Sequence, residues 1–140
     1  NLTLSANGTG IIAVSKGMTV NGNTTISGQL DVTQNIRAFT SDIRLKTNIE
    51  PITDALSKVD SLNGFTYNHN EVAAELGFDP EIRYAGVSAQ ELEEVLPEVV
   101  SPAPVDENYK TVDYGHIVPL LIEAIKELKA EVEELKKHKH

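Results

Sequence analysis

The chain has 140 residues, no cysteine and a formal net charge of −9. That length suits one modest domain with an appendage rather than two large cores, and the acidic balance argues against a nucleic-acid backbone or an anionic membrane as partner, since both reward Lys and Arg. The absence of Cys removes disulfides, thiol catalysis and zinc-thiolate sites; no apolar run approaches the roughly 20 residues that span a bilayer, and no basic stretch followed by an apolar one marks a signal peptide. Starting at Asn1 rather than Met, the sequence reads as a soluble fragment cut from something longer.

The first 40 residues carry two basic side chains, Lys16 and Arg37, and one acidic one, Asp31. From Met18 they fall into a six-residue frame, MTVNGN, TTISGQ, LDVTQN and IRAFTS. The first and third positions read Met18/Val20, Thr24/Ile26, Leu30/Val32 and Ile36/Ala38, and Gly22 and Gly28 recur at the fifth. Two inward residues two apart fit a strand, and the Asn, Gly and Ser that follow fit a turn. Such a ribbon cannot bury its apolar edge alone and needs stacked repeats or sister chains. A flexible polar linker is the plainer alternative.

Residues 48 to 115 read as a small α+β unit. Pro51 is placed to start a helix whose apolar face is Ile52, Leu56, Val59 and Leu62, and Asn63-Gly64 is placed to stop it. A short strand around Phe65 and Tyr67 follows, then a surface loop from Asn68 to Pro80, then IRYAGV as a buried strand. Ser88-Ala-Gln-Glu91 is a capping box, with the Glu91 carboxylate expected to return to the Ser88 amide. Its helix turns Leu92, Val95 and Leu96 inward and ends at Pro97. Val99-Val100 predicts a strand, SPAPVDEN a loop and YKTVDY a last strand.

The tail is the most periodic segment. Val118, Leu121, Ile125, Leu128, Val132 and Leu135 alternate spacings of three and four, a coiled-coil seam in which Glu131 and Lys136 would pair between parallel chains. An amphipathic helix lying on its own domain is the alternative. Pro119 places the regular helix after itself.

RAFTSDIRLKTNIEP, residues 37–51, sits where composition changes from Thr, Asn and Ser to Glu, Lys and Leu. A serine hydroxyl becomes a useful nucleophile beside a base, and lysine is a base only when neutral, which burial favours. Five residues turn an α-helix by about 140°, so Ser41 and Lys46 can meet only across a turn or bend. From the residues alone, Ser41 or Asp42 is better read as a helix N-cap or turn residue, with Lys46 a solvated charge. His69, His116, His138 and His140 have no metal-ligand spacing, the Glu residues read as solvated helix faces, and Gly8, Gly10 and Gly17 make no phosphate loop. No cofactor or metal is expected.

SDIRLKTNIEP from Ser41 resembles the start of the intramolecular chaperone auto-processing domain at the C-terminus of bacteriophage tailspikes and tail fibres, the endosialidase-type chaperone, a self-cleaving serine peptidase family. GVSAQELEEVLPEVV (86–100) and VDYGHIVPLLIEAIKELKAEVEEL (112–135) are similar to its other recurring stretches, in the same order. The resemblance implies a homotrimeric chaperone that folds its own N-terminal fibre and then releases itself by cutting between Thr40 and Ser41. Ser41 would be the catalytic hydroxyl and Lys46 its base, with Asp42 and Arg44 in support. Gly115-His116 departs from relatives that often carry Ser or Lys there.

The expected architecture is therefore α+β: the end of a β-repeat stalk (1–40, trimeric β-helix or β-prism), an auto-processing domain (41–115) and a C-terminal coiled-coil helix (116–140). Val118, Leu121, Ile125, Leu128, Val132 and Leu135 would form the trimer contact. The parent would be a virion tail fibre assembled in host cytoplasm. A structural trimerisation tip that performs no chemistry is the alternative. A receptor-binding fibre head is disfavoured by the small number of aromatics, four Tyr and three Phe.

Overall fold

A computed structural model of the chain describes residues 1–6, 8 and 10–139. Two units are distinguished, Asn1–Asp31 and Val32–His140. Among the described residues of the first unit there is no helix or strand, and Val20, Ile26 and Leu30 are exposed. The strands expected in the hexads from Met18 are thus not formed in the single chain. An extended ribbon with no neighbour has nothing to accept its N–H groups or donate to its carbonyls other than water.

In the second unit the core is small and helical. Helix α1 (Ala55–Asp60), helix α3 (Ala89–Val95) and helix α4 (Val118–Lys137) contribute Ala55, Leu92, Leu120 and Ala124, with Leu96 at the C-cap of α3 and Val99 from the 3₁₀ turn that follows. Ile52, Leu56, Val59 and Leu62 pack around them, as their spacing predicts. The helix itself starts at Ala55 rather than Pro51, because Asp54 adopts a left-handed backbone, φ 52°, just before it. Asp54 makes no side-chain cap. The cap comes from α4 instead: Glu127 Oε2 accepts from the Ala55 amide at 2.6 Å and the Leu56 amide at 3.1 Å. A carboxylate there satisfies two orphan donors and opposes the positive end of the short helix.

Two antiparallel hairpins complete the unit. Strand β1 (Phe65–Asn68) pairs with β2 (Arg83–Gly86), Tyr67 opposite Tyr84. The expectation of a buried strand at IRYAGV is corrected: Arg83, Tyr84 and Ala85 are exposed, since a two-stranded sheet offers no second layer to cover them. Asn68–Pro80 is not wholly loop either. It holds helix α2 (Glu71–Glu75), capped where Asn70 Oδ1 accepts from the Ala73 amide at 3.0 Å and followed by Gly77 at φ 103°. Strand β3 (Val100–Ala103) pairs with β4 (Asp106–Val112), so most of the SPAPVDEN stretch is hairpin; the register shifts between Pro102 and Ala103.

The capping box is half as expected. Ser88 Oγ accepts from the Glu91 amide at 3.3 Å, but the Glu91 carboxylate reaches the Asn63 amide and side-chain nitrogen at 3.0 and 2.9 Å. It ties α3 to the end of α1 rather than closing on Ser88.

Pro119 lies in the first turn of α4, where its missing N–H has no intrahelical partner to lose, and the helix is continuous from Val118. Leu120, Ala124 and Glu127 face α1 and the core. The predicted seam lies about 100° around the same helix and is exposed at all six positions, from Val132 at 41% to Leu135 at 71%. The packing of this helix on its own domain is thus observed on one face, and the apolar row of the expected seam lies uncovered on another. No helix among the described residues is long and apolar enough to cross a membrane.

Candidate active site

The segment after Phe39 is built around one short turn. Ile43–Leu45 is a single 3₁₀ turn closed by the Leu45 amide on the Asp42 carbonyl at 3.0 Å and the Lys46 amide on the Ile43 carbonyl at 3.2 Å. Asp42 is its N-cap: Oδ1 accepts from the Arg44 amide at 2.9 Å, and Oδ2 accepts from Arg44 Nη2 at 2.8 Å. These bonds, from the guanidinium first and the amide second, hold the Asp42 carboxyl below the usual carboxylate range and raise Arg44. Asp42 and Arg44 thus close the turn.

With the turn closed and both flanks extended, Ser41 and Lys46 come to the same side. Lys46 Nζ donates to Ser41 Oγ at 2.7 Å. A regular helix would have parted them; the tighter turn and the extended backbone at Lys46, φ −111° and ψ 147°, do not. Both residues are exposed in the single chain, as are the neighbouring apolar side chains Ile43, Leu45 and Ile49.

Residues 41–101 match the sequence model of the family described as chaperone of endosialidase, the match starting at Ser41 itself. Over this segment the chain is similar to that family. The chain is also 41% identical over 115 residues to the long tail fiber protein Gp37 of Enterobacteria phage K3, a match that covers 78% of the chain and 9% of the relative. The Gp37 of Enterobacteria phage T2 is 41% identical over 115 residues, with 78% and 8% covered. That of Enterobacteria phage M1 is 38% identical over 98 residues, with 69% and 38% covered. The chain spans less than a tenth of the length of the first two.

The histidines are spread over other contacts. His69 stacks on Phe78 with centroids 4.4 Å apart, His138 Nε2 lies 2.9 Å from Glu134 Oε1, and His140 falls outside the described residues. His116 Nδ1 lies 3.0 Å from Asp113 Oδ2, and its ring meets that of Phe39. Among the described residues no three His, Asp or Glu side chains converge as metal ligands. The aromatics, though few, are gathered: Tyr67 contacts Phe65, His69 and Tyr84, and the Val87 amide donates to Tyr114 Oη at 3.3 Å. Burial and the neighbouring phenols of Tyr114 and Tyr84 push the Tyr67 hydroxyl up. Gly86 makes room for the cluster, since a Cβ there would stand 2.8 Å from Tyr114 Oη. A count of aromatics could not reveal that grouping.

Proposed function

We propose that this chain is a segment of a phage tail fibre carrying an intramolecular chaperone, which assembles as a homotrimer and then cuts itself free between Thr40 and Ser41. The observation that carries the reading is the 2.7 Å contact between Lys46 Nζ and Ser41 Oγ at the residue where the family match begins. The named relatives, tail fibre proteins, supply the fibre context.

In this reading Ser41 Oγ attacks the Thr40 carbonyl carbon while its proton passes to neutral Lys46 Nζ. The Ser41 nitrogen then leaves with a proton returned by the lysine, and water hydrolyses the resulting ester to a Thr40 carboxylate and a free Ser41 hydroxyl. The attack runs either on the chain's own carbonyl or across the trimer. In the single chain both groups are exposed to water. Neighbouring chains that cover Ile43, Leu45 and Ile49 would strip that water and favour the neutral amine, because a low dielectric disfavours the charge. Cutting would then be confined to the completed assembly.

The same partners account for the remaining parts. Residues 1–40 are the end of a β-stalk whose ladder bonds come from sister chains, and the exposed seam of α4 closes into a coiled coil. Gathering three C-termini raises the effective concentration of three weakly apolar ribbons, so they zip from that end. The released fibre then persists through a high unfolding barrier.

Exposure of Ser41 and Lys46 in the single chain favours a second reading, a structural trimerisation tip that stays on the fibre uncut. A denaturing gel of the expressed chain separates the two. Self-cleavage yields pieces 1–40 and 41–140, and Ser41→Ala stays whole; a parent chain that is trimeric and uncut belongs to the structural tip.

A further inference from the structure

Phe39 stands two residues ahead of Ser41, and its backbone lies in the left-handed region, φ 61°. A bulky side chain seldom occupies that region and persists there only where its surroundings over-determine it. Here the surroundings are the 3₁₀ turn before α4, Tyr114–His116. The Phe39 ring meets the His116 ring with centroids 4.2 Å apart at 53°. Gly115 lies against the ring as well: a Cβ there would stand 3.4 Å from Phe39 Cε2, an ordinary contact, so only a side chain extending beyond Cβ would press on it. His116 is itself oriented by Asp113. On the far side of the Thr40–Ser41 bond, Asp42 caps the turn that carries Lys46.

We propose that Phe39, seated on Gly115 and His116, is the positioning residue for cleavage of the Thr40–Ser41 bond. The role rests on the self-cleavage reading above. Cleavage breaks the bond between the Thr40 carbonyl carbon and the Ser41 nitrogen, and water supplies the hydroxyl to one and the proton to the other. Phe39 donates no atom to that balance; it anchors the chain one residue upstream of the reacting carbonyl, as Asp42 anchors it one residue downstream of Ser41. Small displacements of a reacting centre cost large factors in rate. Phe39 is 59% exposed and lies outside the core, so its loss leaves the core residues in place.

The test is a cleavage time course on the full chain, read by denaturing gel, with assembled mass and circular dichroism measured on each variant. Phe39→Ala is expected to slow cutting by about ten- to a hundredfold, and Phe39→Tyr to restore most of the rate. Phe39→Gly tolerates the left-handed backbone but lacks the ring, and it too is slow. Gly115→Leu fills the seat from the opposite side and has the same effect. In the uncut Ser41→Ala chain, Phe39→Ala shifts the His116 ring signals in NMR spectra, which reports the contact independently of chemistry. If the parent cuts while Phe39→Ala and Gly115→Leu cut equally fast, positioning is overturned and self-cleavage stands. A parent chain that never cuts removes self-cleavage and the role together. Unmoved His116 signals overturn the seat, and loss of fold in Phe39→Ala makes the residue structural and overturns the role as well.

Discussion

Lys46 Nζ lies 2.7 Å from Ser41 Oγ although five positions separate them, because a single 3₁₀ turn with extended flanks folds the chain back between them. Nothing else among the described contacts holds that pair, so its persistence rests on the turn and on the Asp42–Arg44 clasp that closes it.

Replacing Lys46 with Met removes the amine while keeping a flexible apolar stem, and replacing it with Arg keeps a cation that cannot serve as base at neutral pH. Both variants are expected to lose at least about a hundredfold in cutting rate with assembled mass unchanged. The check is a gel time course beside native mass spectrometry. Normal cutting by Lys46→Arg would rule lysine out as the base.

The pH dependence of the turn follows from Asp42. Its carboxyl is held below the usual range in the folded chain, so the clasp contributes fully above the ordinary carboxylate range and is lost as pH falls through the lowered value. Arg44→Gln is expected to bring the Asp42 titration back up towards that ordinary range, as followed by carboxyl NMR of the Ser41→Ala chain. Asp42→Asn is expected to slow cutting at neutral pH. An Asp42 titration unmoved by Arg44→Gln would show that the clasp does not form in solution.

Glu127→Ala deprives the Ala55 and Leu56 amides of their shared acceptor. Bonds to a charged group in a partly buried setting predict a loss of about 1–3 kcal/mol, seen as a lower denaturation midpoint in urea. Glu127→Gln should recover part of it, since the amide oxygen still accepts. An unchanged midpoint in Glu127→Ala would mean that water caps α1 equally well.

The two faces of α4 are expected to fail differently. Leu120→Ala opens a cavity in the fully buried core and costs about 2–5 kcal/mol of domain stability. Leu128→Asp sits on the exposed seam, 48% open in the single chain, and is expected to leave the domain folded while abolishing both trimer and cutting. Native mass spectrometry and the denaturing gel read the two outcomes. A monomer of Leu128→Asp that still cuts would separate chemistry from assembly.

In the second unit the elements with a clear hydrophobic period were legible in the sequence. The helix over Leu92 and Leu96, the strand at Phe65 and Tyr67 and the long helix after Val118 all stand where hydrophobic spacing predicts them. Helix α2 was hidden because five residues carry too little periodicity to separate from loop, and Asn70 as its cap looks like any turn Asn. IRYAGV reads as buried because a run of apolar residues does not reveal how many layers will cover it. The aromatic grouping on β1 and β2 arises from pairing register, which sets Tyr67 against Tyr84 from 17 positions apart.

By itself the chain order determined the local chemistry: the Ser41 to Lys46 interval, the Ser88 cap and the apolar rows of α4, all set by contacts within a few residues. Tertiary structure alone decided where the long-range carboxylates went, Glu91 to Asn63 and Glu127 to Ala55, which face of α4 met α1, and that Phe39 came to rest on His116. The reason is physical. Turn and helix geometry follow from dihedral preferences of adjacent residues, whereas each of these pairings joins groups 28 to 77 positions apart, whose meeting depends on how the whole unit packs.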